Sequence, residues 1–277
     1  MAEHFVQPPH WEWYIVAYFF CAGIAGGVYT LATLLRMTGS PRNDAVVRAA
    51  FLTAFPLVVV CGILLTVDLG QPLRFWHMML NTTPGEGGLN FKPWSPISLG
   101  TWALLVFGIF SFVSFVQAYR RSGTGIVFEV IGSLLALFLA SYTGVVLSVS
   151  NQPVWSDSWA VGGLFVASAL SGSAALLVLL ARSRAASSWS EPRLHSADRW
   201  FVLLEAALIV VFFVTLAQAG TLAKTFSGAW IVVWVLVFLS LIPALLGSAG
   251  SRRTLSAVAV LVGVLLMRYV VIFSAQS

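Results

Sequence analysis

Eight long, unbroken apolar runs constrain this chain more than any other feature of its 277 residues. They lie at 13–36, 45–67, 97–119, 125–149, 159–182, 199–219, 228–247 and 254–274. Each provides roughly the 20 residues with which an α-helix crosses about 30 Å of hydrocarbon. The runs are uniformly apolar rather than alternating, and lipid offers the backbone no hydrogen-bond partner, so helices are expected and strands are not. A composition of 59% hydrophobic and 9% charged residues, with a mean hydropathy of +0.91, excludes an ordinary soluble domain. The expected fold is an all-α integral membrane protein of eight transmembrane helices. It is read as one domain over residues 1–277, built from two four-helix bundles.

The basic residues set the expected orientation. Arg36, Arg42, Arg48, Arg120, Arg121, Arg182, Arg184, Arg193, Arg199, Arg252 and Arg253 flank alternate connections, against Arg74, Lys92 and Lys224 on the other side. Positive residues stay on the cytoplasmic side, so both termini are expected outside, on the periplasmic face. The net charge of +5 is accounted for by this inner rim, and nucleic-acid binding is not expected. No Lys or Arg precedes Arg36, so the basic start of a cleavable signal peptide is not expected either.

Histidine placement excludes one large class of membrane redox subunit. His4, His10, His77 and His195 all fall in the tail or in expected connections, so no span offers the axial imidazoles of a di-haem cytochrome b. Cys21 and Cys61 stand apart inside spans and read as small buried side chains. They form no cluster, so neither haem, nor an iron–sulfur centre, nor another metal site is expected in this chain. P-loop, dinucleotide-binding and serine-nucleophile signatures are missing too, and no catalytic residue for bond chemistry is assigned.

Polar groups inside a bilayer are costly and each needs an explanation. In the first span Tyr14, Tyr18, Cys21, Ala25 and Tyr29 share one helical face, while Gly23, Gly26 and Gly27 permit close helix approach. Tyr18 sits about 9 Å below the outer end of its span, and Tyr142 of the fourth span about 10 Å below the same surface, at 1.5 Å per residue. Asp68 closes the second span just above them, and Arg74 and His77 follow in the long outer connection 68–96. Two readings stand for the tyrosines: interfacial anchors, or hydrogen-bonding and stacking partners of a quinone ring. On the second reading Tyr142, Tyr18, Asp68, Tyr14, Arg74 and His77 are the quinone-binding set. Glu129, Glu205 and Arg268 lie within spans, with Arg199 at the inner edge, either as structural polar contacts or as a proton route. Helix rise separates Glu205 and Arg268 by about 12 Å in depth, so a direct ion pair is not expected. The outer segment Ser148–Trp155 echoes Thr66–Pro72 in ending on Gln-Pro, a trace of a duplicated hairpin.

At these residues the chain resembles the NrfD-like family, the membrane subunits of polysulfide reductase and its relatives. The resemblance is carried by Ala22–Gly27, by Val67–Trp76, by Pro93–Trp102, by Ala140–Leu147, by Pro153-Val-Trp155 and by Phe165–Gly172. It implies a multi-pass protein of the bacterial or archaeal cytoplasmic (inner) membrane that binds a quinone, menaquinone, near the outer face among the first four helices. It implies partners as well: a ferredoxin-like iron–sulfur subunit docked outside, and a molybdopterin-type catalytic subunit beyond it. Tyr142 matches the family's quinone-contacting tyrosine, Asp68 its usual acid, and Arg199 and Arg268 its basic positions. One departure stands out: Tyr18 replaces a histidine that is a quinone ligand in the polysulfide reductase type.

The expected function is thus the quinone-binding anchor of a respiratory oxidoreductase complex, passing electrons between quinone and the iron–sulfur partner, with the terminal catalytic site on another chain. Connection 68–96 and the segment 151–159 are the expected docking surface. The alternatives are a secondary transporter or proton channel, for which Pro56 and Pro243 interrupt two spans, and a purely structural anchor.

Overall fold

Helix boundaries follow local chemistry at both ends of the spans. Asp44 accepts from the backbone N–H groups of Val46 (2.9 Å) and Val47 (3.3 Å), satisfying donors that the first turn leaves free. Ser95 plays the same part before Pro96, whose missing N–H costs nothing at a helix start. The computed structural model describes residues 9–41, 43–85, 87–183, 191–246 and 252–276. Within them run α1 (Trp13–Met37), α2 (Ala45–Asp68), a 3-10 helix (Pro72–Met78), α3 (Pro96–Tyr119), α4 (Ile126–Ser148) and α5 (Val161–Ser183). Then come α6 (Glu191–Ala219), the single turn α7 (Leu222–Thr225), α8 (Trp230–Leu245) and α9 (Arg252–Phe273). A two-residue ribbon, β1 (Leu80–Asn81) against β2 (Gly88–Leu89), folds the long connection back on itself.

Among the described residues seven helices are long and apolar enough to cross a membrane, and the chain is a multi-pass membrane protein. The seventh expected run, 228–247, forms a helix of 16 residues, about 24 Å at 1.5 Å per residue. Two other expectations shift. α6 begins at Glu191, eight residues before the expected 199. His195 therefore lies in a helix rather than a loop, one residue ahead of the apolar stretch Ser196–Ala219.

Packing sorts the long helices into two rings. α1, α2, α3 and α4 pack in that order and close on α1, while α5, α6, α8 and α9 close on α5. The rings meet where α1 and α4 lie against α5. That seam is tight: a Cβ on Gly27 would lie 2.5 Å from the Ala169 carbonyl oxygen, and one on Gly144 would lie 2.5 Å from that of Val161. Small residues let helix backbones approach closely where lipid supplies no hydrophobic drive. The stripe Ser133, Ala136, Ala140 and Gly144 is filled by this packing, with Ala136 and Ala140 under α1 and Gly144 under Val161.

Long-range bonds identify two ends. At one, Trp11 N donates to Gln276 Oε1 (2.8 Å), Gln152 Nε2 to Ala275 O (2.5 Å), and Thr215 Oγ1 to Ser158 Oγ (2.7 Å). At the other, Arg36 meets Glu129, and Arg48 Nε donates to Ala118 O (3.2 Å). The first carries the long connection, and the second carries most of the arginines.

Candidate functional site

Tyr18 and Tyr142, from helices α1 and α4, stand within electrostatic reach of each other near the connection end. Tyr18 is buried, and its hydroxyl has no hydrogen-bond partner among the described residues. Its backbone is held instead: Cys61 of α2 donates its S–H to the Tyr18 carbonyl (3.8 Å). Tyr142 is half-buried and donates its hydroxyl to the Pro96 carbonyl, in the first turn of α3. Its ring lies flat against Gly100, where a Cβ would overlap it, and stacks on Phe138 at 6.2 Å. Gly100 is thus a glycine because the phenol occupies the place of its side chain.

The other expected quinone contacts lie nearer the surface. Tyr14 lies beside Glu12, and Asp68, exposed at the last residue of α2, lies within electrostatic reach of both. Arg74 is exposed on the 3-10 helix, and its carbonyl meets His77 Nδ1 at 3.2 Å. His77 stacks on Trp76 with ring centres 3.8 Å apart, and its carbonyl accepts from Asn90 Nδ2 (3.0 Å). Tyr14 and Asp68 therefore rim the tyrosine pair, whereas Arg74 and His77 are engaged within the connection itself.

That connection is an exposed apolar surface. Leu73, Phe75, Trp76, Leu89, Phe91 and Trp94 all present their side chains to the outside, with Leu73 at 91% and Trp94 at 79% exposure. The second segment behaves in the opposite way and corrects the docking expectation for 151–159. Gln152, Pro153, Val154, Trp155 and Ser158 are buried, leaving Asn151, Ser156 and Trp159 outside. Trp155 Nε1 donates to Val271 O (2.8 Å), and its ring packs on Trp11 at 4.8 Å. The segment is a plug against α9 because its aromatic and amide groups find partners there.

The charged residues separate into two constellations. Glu129, in the first turn of α4, pairs with Arg36 Nε (3.0 Å) and accepts from Thr124 Oγ1 (2.9 Å), beside a small cavity lined by Ser114, Gln117 and Ser122. Arg199 is exposed near the start of the α6 span. Glu205 and Arg268 are fully buried and form no direct ion pair. They are nevertheless linked through one turn of α5: Ser171 donates to Glu205, and Arg268 Nη2 donates to Ser168 Oγ (3.0 Å).

Sequence reading missed Gly100, the Cys61 contact, the Arg36–Glu129 pair and the Ser168/Ser171 bridge. A glycine one turn inside an apolar helix was the available signal for the first, since glycine there costs about 1 kcal/mol unless something must approach closely. Among the described residues no group of three or more His, Cys, Asp or Glu could hold a metal.

Similarity to known proteins extends over nearly the whole length. The sequence is 26% identical to a polysulfide reductase chain from Wolinella succinogenes, over 96% of this protein and 94% of that one. It is 27% identical to protein NrfD of Escherichia coli, over 96% and 95%. Identity to a tetrathionate reductase subunit from Salmonella typhimurium is 26%, over 98% and 81%. A family model, NrfD_2, described as polysulfide reductase, matches residues 5–277, and the chain with its multi-pass helical fold belongs to that family.

Proposed function

We propose that this protein is the quinone-binding membrane anchor of a reductase complex. The observation that carries the proposal is that Tyr18 and Tyr142, from two helices, lie within electrostatic reach of each other near an exposed apolar connection. A quinone ring fits this site: the Tyr18 phenol can donate to a ring carbonyl, the Tyr142 phenol can do so on releasing the Pro96 carbonyl, and Phe138 and the tyrosine rings offer flat faces to it. Tyr18 suits the role best, since its hydroxyl is free of other bonds among the described residues. When bound, quinone supplies two-electron, two-proton redox chemistry, and menaquinone is the form the family reading favours. Tyr142, held on α4 against the first turn of α3, would orient the ring, while Asp68 and Tyr14 nearer the surface would exchange protons with the outside.

The complex implied is a respiratory one in a bacterial or archaeal cytoplasmic membrane, with both termini outside as the arginine distribution argues. The exposed face formed by Leu73, Phe75, Trp76, Leu89, Phe91 and Trp94 would seat a ferredoxin-like iron–sulfur subunit, itself wired to a molybdopterin-type subunit. Two of the relatives are by name parts of multi-subunit reductases, which supports such an assembly.

Tyr142→Phe in an assembled complex tests the reading. The ring and its stacking survive, and quinol-dependent turnover should fall several-fold or more. Unchanged turnover at saturating quinol would make Tyr142 an anchor and remove the site. Tyr18→His adds a second arm: a histidine titrates near pH 6.5 in ordinary surroundings, so a new limb should enter the activity profile between about pH 6 and 7.

A further inference from the structure

Arg268 is the most demanding residue in the second ring. It is fully buried within a membrane helix, where an isolated guanidinium is heavily penalised. Its two terminal nitrogens donate to other helices. One Nη donates to the Phe19 carbonyl of α1, and the other to the Phe165 carbonyl (3.0 Å) and Ser168 Oγ (3.0 Å) of α5. The guanidinium carbon also lies 4.8 Å above the Phe165 ring. Gly23 makes room for it: a Cβ there would come within 2.5 Å of Nη2. Phe19 is adjacent to Tyr18, whose own carbonyl is held by Cys61. The Tyr18 turn is therefore gripped from α2 on one side and from α9 on the other.

The balancing charge is Glu205, also fully buried and bonded to Ser171, one turn along α5 from Ser168. Ser171 Oγ also lies 3.2 Å from the Ser168 carbonyl, but its single O–H is given to Glu205, so the two serines form a bridge only in standing one turn apart on α5, one against each charge. Glu205 Oε1 and Arg268 Nε find no partner among the described residues, so each charge rests on this bridge and on the other's field.

We propose that Arg268 is the positioning residue for the Tyr18 turn of α1, and that Glu205 is its counter-ion across the Ser168–Ser171 bridge. The effect on quinone rests on the function proposed above, and the counter-ion relation does not.

The test uses the full chain in its complex, in a Cys21→Ala background that leaves Cys61 as the single thiol. Three variants are compared: Arg268→Gln, Arg268→Gln with Glu205→Gln, and Arg268→Lys. Arg268→Gln should lower assembly and the thermal midpoint sharply, and adding Glu205→Gln should restore most of both. Losses that simply add in the double variant would overturn the counter-ion relation. In the restored double variant, Cys61 should react with a membrane-permeant maleimide several-fold faster, and KM for a short-chain quinol should rise about tenfold with kcat little changed. Arg268→Lys should recover part of each. Cys61 labelling and KM both at wild-type values in the double variant would overturn the positioning role. If the wild type shows no saturable quinol dependence, the quinone reading fails, while labelling and thermal coupling still decide this proposal.

Discussion

Two buried arginine–glutamate couples occupy this protein, and they solve the same problem in opposite ways. Arg36 and Glu129 touch at 3.0 Å, at the arginine-rich end and beside a small polar cavity. Each also sits where a helix dipole favours its charge, Arg36 in the last turn of α1 and Glu129 in the first turn of α4. Arg268 and Glu205 lie deep in the second ring, do not touch, and are joined by two serines of α5. A contact pair at a helix end needs few other partners. An interior pair has neither water nor dipole ends to draw on, so carbonyls and hydroxyls from neighbouring helices must complete it. The lesson is that interior charges in this protein act as cross-links between helices, and the end pair only fastens two of them.

The difference predicts unequal consequences. Arg268→Gln alone leaves Glu205 as an uncompensated interior charge and should destabilise by about 3–5 kcal/mol. Arg36→Gln leaves Glu129 with Thr124 and the first turn of α4, and should cost nearer 1–2 kcal/mol. Thermal unfolding in detergent measures both, and equal losses would erase the distinction.

Gly23→Ala sharpens it next. The added methyl meets the Arg268 guanidinium and should cost about 1–3 kcal/mol. Gly108→Ala, whose nearest neighbour is Val58 at 3.5 Å, is the control and should be close to neutral. A harmless Gly23→Ala would mean that Arg268 is free to move aside.

Ser171→Ala should cost about 1–3 kcal/mol because it removes the hydroxyl that serves Glu205. Thr124→Ala, the matching change at the end pair, should stay within about 1 kcal/mol. The smallest effect is expected from salt. Raising ionic strength should weaken the Arg36–Glu129 pair at the helix ends and leave the interior couple unchanged. Double-mutant coupling energies at low and high salt would read this, and a salt-sensitive Arg268–Glu205 coupling would place that pair in contact with water.

Much of the fold was legible because membrane helices are local objects. The runs 13–36, 45–67, 97–119 and 125–149 agree with α1 to α4 to within one residue at every boundary. A helix closes its own hydrogen bonds, so composition along a window is enough to find it. The two Gln-Pro segments show where this stops. Gln71-Pro72 opens an exposed 3-10 helix, while Gln152-Pro153 is buried under the end of α9. Their local sequences are alike, but Trp155 and Gln152 bond to Val271 and Ala275, more than a hundred residues away. Nothing in a window of sequence contains those partners.

The candidate site divides along the same line. Helical rise alone put Tyr18 and Tyr142 at a common depth, and it put Glu205 and Arg268 too far apart to touch, because depth along a helix is a one-dimensional quantity. Which helices stand side by side is not. The pairing of Arg36 with Glu129, the seat of Tyr142 on Gly100, and the serine bridge of α5 all arise from lateral packing. The sequence by itself determined that this chain spans a membrane in long helices and that its interior carries few charges. Tertiary structure decided which of those charges meet, since a polar group buried in lipid is costly without a partner and only neighbouring helices can provide one.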